Sequence, residues 1–185
     1  MKNITLNDNI LVEIIRRLNV EKFKPTYMIK SVEKIPFVLL ERDNIKGLIF
    51  DVDNTISTMG KGITEASYEW IKEAKELGYK ICILSNSVNQ RKVKKIMSDL
   101  DVMGLCFARK PSTKGFEMAL NLLDLKKDQV VMIGDQIFTD VWGANRFGIK
   151  SILVKPINKK EGPFTLIKRP FEKIVLKKLK EDKND

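Results

Sequence analysis

Six polar residues stand where apolar runs of the sequence stop. The run Gly47-Leu48-Ile49-Phe50-Asp51-Val52 leads into Asp53-Asn54-Thr55, and Tyr79–Leu84 leads into Ser85-Asn86. Val130–Ile133 leads into Gly134-Asp135, with Asp140 five residues on, and Lys110 follows the stretch Val102–Phe107 and precedes Pro111. Two carboxylates as close as Asp51 and Asp53 repel one another and raise one pKa unless a cation joins them. Mg²⁺ takes hard oxygen ligands, usually one or two carboxylates with phosphate oxygens and water. Asp135 supplies a further carboxylate if its strand lies beside that of Asp51. The positive charge of Lys110 and the hydroxyl of Ser85 then complete a cradle for a phosphate group.

These residues need elements that bring them to one place. Gly47–Val52, Tyr79–Leu84, Val102–Phe107, Val130–Ile133 and Ser151–Val154 read as five strands. The first, second and fourth are continuous apolar runs, as strands buried on both faces should be. Gly104 interrupts the third. Helices are predicted between them. Thr64–Leu77 has Ala66, Trp70, Ile71, Ala74 and Leu77 at helical spacing, with Gly78 closing it. Asn89–Leu100 carries Val93, Ile96, Met97 and Leu100 on one face. Pro111 opens a helix to about Leu125, and Thr139–Phe147 ends at Gly148. This β-α repetition over residues 46–154 predicts one α/β domain with a five-stranded parallel sheet. A strand order of 5-4-1-2-3, counted in sequence order, puts Asp51 beside Asp135 at the switch point, where open parallel sheets bind ligands. Outside the repeat, Asp8–Leu18 reads as a short helix and Pro25 and Pro36 bracket an extended stretch. The tail carries Phe171, Ile174, Val175 and Leu179 on one helical face, with Lys173, Lys177 and Lys180 off it. That pattern fits either a helix docked on its own domain or a basic amphipathic helix.

Composition narrows the chemistry. The 185 residues contain no histidine, which excludes a Ser-His-Asp triad, a histidine-ligated zinc and an imidazole base. Acid–base work must fall to carboxylates or lysine. Cys82 and Cys106 lie in apolar stretches and read as reduced core residues. No run approaches the roughly 18 apolar residues of a membrane span, and the polar start of the chain lacks a signal-peptide core. The expected location is the cytoplasm, with peripheral contact at the inner membrane face. Half of the net charge of +10 falls in the last 31 residues, so the tail suits an anionic partner such as phospholipid.

Four segments together resemble the haloacid dehalogenase-like (HAD) superfamily of phosphohydrolases. They are Asp51-Val52-Asp53-Asn54-Thr55, Leu84-Ser85-Asn86, Lys110-Pro111, and Gly134-Asp135 through Thr139-Asp140. Lys46–Thr55, Lys110-Pro111-Ser112, Gly134–Val141, Gly143–Gly148 and Phe164-Thr165 bring the chain closer to one branch. That branch is subclass IIIA, which includes phosphatidylglycerophosphate phosphatases of mitochondria and related bacterial proteins. Asn54 stands where the wider superfamily more often has glycine.

The resemblance implies a three-layer Rossmann-like fold in one domain over residues 1–185, with its core at about 25–160. It implies Mg²⁺-dependent hydrolysis of a phosphomonoester through an aspartyl-phosphate. Asp51 would be the nucleophile. Asp53 would be the general acid and base, with its backbone carbonyl on the metal. Ser85 and Lys110 would hold the phosphoryl oxygens, with Asn86 and Thr55 as further hydrogen-bond partners. Asp135 would be a metal ligand, and Asp140 would ligate through water or orient Lys110. Lid domains of this superfamily enter after the first segment or between the second and third. Here 32 positions separate Asp53 from Ser85 and 25 separate Ser85 from Lys110, so no cap domain is expected. An open site suits a phospholipid headgroup, and phosphatidylglycerophosphate is the leading substrate. The rivals are a soluble, protein or nucleic-acid phosphate, and a phosphate-binding assembly factor without turnover.

Overall fold

The computed structural model describes residues 20–58, 61–158 and 171–179. Its strands are β1 (Tyr27–Ile29), β2 (Gly47–Phe50), β3 (Lys80–Leu84), β4 (Met103–Leu105), β5 (Val130–Gly134) and β6 (Lys150–Val154). Its helices are α1 (Phe37–Arg42), α2 (Glu65–Glu76), α3 (Gln90–Leu100), α4 (Thr113–Leu123), α5 (Trp142–Phe147) and α6 (residues 171–179).

All strand pairs are parallel, and the order is β1-β6-β5-β2-β3-β4. The five expected strands stand in the expected order. The count is corrected to six, because β1 pairs beside β6 through Tyr27–Ile152, Met28–Leu153 and Ile29–Val154. This strand lies inside the stretch that Pro25 and Pro36 bracket. Three residues of mixed exposure are too few to show a period of two.

Every residue of β2 and β5 is buried, since helices cover both faces of a parallel sheet. Successive side chains point to opposite faces. Leu48, Phe50, Ile83, Val131 and Ile133 therefore pack with Leu40, Trp70, Ile71, Val93 and Ile96 from α1, α2 and α3. Ile49, Cys82, Leu84 and Met132 pack with Phe116, Ala119, Leu123, Ala144 and Phe147 from α4 and α5. These are the two outer layers around the sheet. A fully buried side chain such as Phe116 contributes about 2–3 kcal/mol. The Trp70 indole N–H donates to Ile35 O at 3.2 Å, so this tryptophan is a packing residue.

Gly104 does not break β4. A Cβ there would lie 2.5 Å from Ile83 O, so glycine lets β4 approach β3. Cys82 is buried and its thiol is pushed up to about 12 by burial. Cys106 is only partly buried, and both are free thiols.

A third apolar cluster joins Val20, Phe23, Ile137, Val141 and Leu153 with Val175 and Leu179 of α6. Val175 and Leu179 of the expected apolar stripe are thus docked on the chain's own domain, while Phe171 at the start of α6 stays exposed. Lys173 and Lys177 lie on the outside. The expected helix over Asp8–Leu18 lies outside the described residues, as does Lys180. No helix among the described residues is long and apolar enough to cross a membrane.

Candidate active site

β2 and β5 run side by side with Phe50 opposite Ile133. Their carboxyl ends therefore deliver Asp51 and Asp135 as neighbours. The chain leaves β5 through a π turn over Ile137–Val141, which returns Asp140 to the same spot. Oxygen atoms of Asp51, Asp135 and Asp140 lie within 4.8 Å of one another, and all three residues are buried. Gly134 makes this possible. A Cβ there would come within 2.3 Å of Asp140 Oδ2, so the Asp140 side chain rests against bare backbone. Asp140 Oδ2 also accepts the Gln136 N–H at 3.0 Å, which ties the turn shut.

Lys110 is almost fully buried, and its Nζ sits 2.7 Å from Asp51 Oδ1 and 2.8 Å from Asp140 Oδ1. Burial works against its charge, but Asp140 and Asp51 outweigh that, and the ammonium titrates above its ordinary value. Burial also pushes the Asp51 carboxyl up to about 6; Lys110 opposes the rise and Asp140 adds to it. Thr55 Oγ1 lies 3.2 Å from Asp51 Oδ2 and 3.2 Å from Asp135 Oδ1. A hydroxyl has one proton to donate, so Thr55 links the two carboxylates, one bond at a time.

Asn86 pairs with the backbone of Lys110. Its Nδ2 donates to Lys110 O at 2.9 Å, and its Oδ1 accepts the Lys110 N–H at 2.8 Å. It therefore grips the backbone that carries the lysine. Ser85 is buried one strand over, and its Oγ accepts the Ser87 N–H at 3.1 Å. Asp53 stands apart from the three-carboxylate cluster. It is half-buried, and its Oδ1 pairs with Lys92 Nζ at 2.7 Å. The residue between the two acids, Asn54, has φ 64°. That is the left-handed region, where glycine and asparagine are at home, which explains why asparagine can replace glycine at this position.

Two residues escaped the sequence reading. Lys92 Nζ also donates to Thr58 O at 2.9 Å, so one ammonium ties Asp53 to the segment after it. Nothing in the sequence separates it from Arg91, Lys94 and Lys95 on the same helix. Glu172 is buried on α6 and accepts the Ile137 N–H at 2.8 Å, at the head of the π turn. Its signal was present, for it falls on the same helical stripe as Val175 and Leu179, where an acid is out of place.

Three carboxylates converge here, each through one oxygen, with an ammonium shared by two of them, and Lys110 and Asp51 face each other over a 2.7 Å contact. Hard, buried oxygen donors of this kind fit a divalent cation such as Mg²⁺. A carboxylate at such a centre is also placed to act as a nucleophile toward an electrophile held by the lysine.

Comparison with known proteins gives a consistent picture. The family described as HAD-hydrolase-like matches residues 107–165. The chain is 39% identical over 159 residues to the probable phosphatase YqeG of Bacillus subtilis, covering 85% of this chain and 92% of that protein. It is 27% identical over 165 residues to the chloroplastic/mitochondrial phosphatidylglycerophosphate phosphatase 1 of Arabidopsis thaliana. That match covers 84% of this chain and only 47% of the plant protein. Among solved structures, an uncharacterized protein from Listeria monocytogenes aligns with a TM-score of 0.53 at 22% identity. The alignment covers 64% of this chain and 85% of that one. One from Corynebacterium glutamicum aligns at 0.50 and 20% identity, over 71% and 95% of the two chains. These two likenesses concern the fold alone.

Proposed function

Because the chain belongs to the HAD-like superfamily and is one of its phosphatases, we propose that it hydrolyses a phosphomonoester through an aspartyl-phosphate on Asp51. The observation that carries this reading is the convergence of Asp51, Asp135, Asp140 and Lys110 at the carboxyl ends of β2 and β5.

In this reading an Asp51 carboxylate oxygen attacks phosphorus while the bond to the leaving oxygen breaks. Asp53 gives that oxygen a proton. In the second half, Asp53 takes a proton from water as the water oxygen attacks phosphorus, which releases phosphate and restores Asp51. Splitting the reaction in two lets each half use an in-line displacement at a prepositioned group. Lys110, gripped by Asn86, holds the phosphoryl oxygens and offsets their charge, with the Ser85 hydroxyl beside it. Thr55 keeps Asp51 and Asp135 in register. Mg²⁺ suits the Asp51, Asp135 and Asp140 donors together with the Asp53 backbone carbonyl, and when bound it supplies Lewis-acid stabilisation of phosphoryl charge.

We propose phosphatidylglycerophosphate as the substrate, giving phosphatidylglycerol. Support comes from the Arabidopsis relative and from the absence, among the described residues, of an inserted lid between the chemistry-bearing segments. The test is phosphate release from phosphatidylglycerophosphate in mixed micelles, and from 4-nitrophenyl phosphate, in the presence of Mg²⁺. Asp51→Asn should lower turnover of both by at least about a thousandfold with the circular dichroism spectrum unchanged. Undiminished release by that variant would defeat the nucleophile assignment. Turnover of the aryl phosphate without the lipid would move the substrate to a soluble phosphate.

A further inference from the structure

A second basic feature opens on the same rim of the sheet and is used by none of the steps above. A cavity of about 470 Å³ lies at the carboxyl ends of β1 and β6, against the start of α2. Lys30 follows β1 and Lys155 follows β6, and both line the cavity. The Lys155 N–H donates to Lys30 O at 3.3 Å, which sets the two residues side by side. Both side chains are exposed, and neither has an acidic partner among the described residues. One acid, Glu33, is on the wall and already accepts the Ser31 hydroxyl. The opposite wall is Thr64 and Ser67 at the amino end of the twelve-residue α2, where Thr64 caps the helix by accepting the Ser67 N–H and Glu65 opens its first turn.

Thr55 is the residue that stands between this cavity and the chemistry. It lines the cavity while its Oγ1 reaches Asp51 and Asp135. β6 is separated from β2 by β5 alone, so at a spacing of about 4.8 Å per strand the two strand ends are about 10 Å apart. A lysine stem reaching back from Lys155 and a three-carbon linker on the substrate together span such a gap. A larger cavity of about 780 Å³ lies at the opposite, amino end of the strands, against Tyr79, Lys80 and Met103, and cannot serve the same substrate.

We infer that this cavity binds a second anionic group of the substrate, a phosphodiester carried on the leaving group, with Lys30 and Lys155 as its cations. The inference rests on the phosphatase reading of the neighbouring site and deepens it. The enzyme would select phosphomonoesters whose alcohol bears a further phosphate three carbons away, and would do so without reference to acyl chains. A lipid headgroup and its water-soluble, acyl-free counterpart share that chemistry.

The experiment compares kcat/KM for acyl-free glycerophosphoglycerol phosphate with that for glycerol 3-phosphate. The native protein should prefer the former by tenfold or more, with the preference shrinking as salt is raised. Lys30→Ala and Lys155→Ala should each reduce that ratio several-fold, the double variant should abolish it, and Lys72→Ala on the outside of α2 should leave it as it is. Circular dichroism reports that the variants are folded. A ratio near one in the native protein, or a ratio untouched by the lysine variants, overturns the inference while the phosphatase reading stands. If neither substrate is turned over, the phosphatase reading fails, and saturation-transfer NMR with glycerophosphoglycerol decides the cavity independently. Binding lost in the double variant supports the inference, and binding retained there, or absent from the native protein, overturns it. Micellar phosphatidylglycerophosphate, run beside the acyl-free compound, shows which source the cavity prefers.

Discussion

The Asp51 carboxyl meets opposed influences at once. Burial pushes it up to about 6, Lys110 pulls it down, and Asp140 pushes it further up. Its pKa in the folded protein thus lies above the value of 3.8 for an unhindered aspartate, so below about 6 the group holds a proton that it must lose to ligate a cation. Mg²⁺ affinity is therefore expected to weaken by about tenfold for each pH unit below about 6 and to level off above it. Tryptophan fluorescence titrations with Mg²⁺ across that range measure this, and an affinity flat with pH would remove Asp51 from the ligand set. Lys92 invites a second prediction. It holds Asp53 through one contact and Thr58 O through another, so its loss should leave the proposed proton donor misplaced. Lys92→Ala is expected to slow alkyl phosphates on the order of tenfold and 4-nitrophenyl phosphate far less, because a good leaving group does not need the proton. Equal slowing of both would make Lys92 a folding residue only.

The π turn and α6 form the most consequential pair of elements. Glu172 accepts the Ile137 N–H at the head of the turn that delivers Asp140, and Val175 and Leu179 seal the contact from the side. Val175→Ala should cost about 2 kcal/mol of stability in chemical denaturation. Glu172→Leu leaves the amide without its acceptor and should weaken Mg²⁺ binding more than Val175→Ala does. Equal Mg²⁺ affinities in the two variants would confine Glu172 to stability. The sequence carried most of the architecture, because β2, β3, β5 and β6 are apolar runs that end in polar residues. The neighbourhood of Asp51, Ser85 and Asp135 followed for the same reason, since each stands at the end of one of three adjacent strands. The sequence did not carry β1, whose three residues show no period. The π turn was hidden as well, since Thr139–Phe147 reads as ordinary helix at a period of 3.6 residues, and the wider turn depends on Gly134 making room for Asp140. The grip of Asn86 on Lys110 was equally out of reach, because it joins residues 24 apart through backbone atoms that no composition reveals.

At the scale of the molecule, the described structure buries Val175 and Leu179 of α6 and leaves Lys173 and Lys177 outward. Contact of these lysines with a membrane is expected to be electrostatic. Binding to vesicles rich in phosphatidylglycerol is expected at low salt, to fade at high salt, and to be lacking on neutral phosphatidylcholine. Equal binding to both kinds of vesicle in a sedimentation assay would contradict this. The two outermost strands, β1 and β4, have three residues each, against four or five in the strands between them. A sheet edge recruits foreign backbone in proportion to the bare amides and carbonyls it displays. Among the described residues, flanks this brief give an incoming strand little to zip onto, which works against runaway growth of one sheet onto the next.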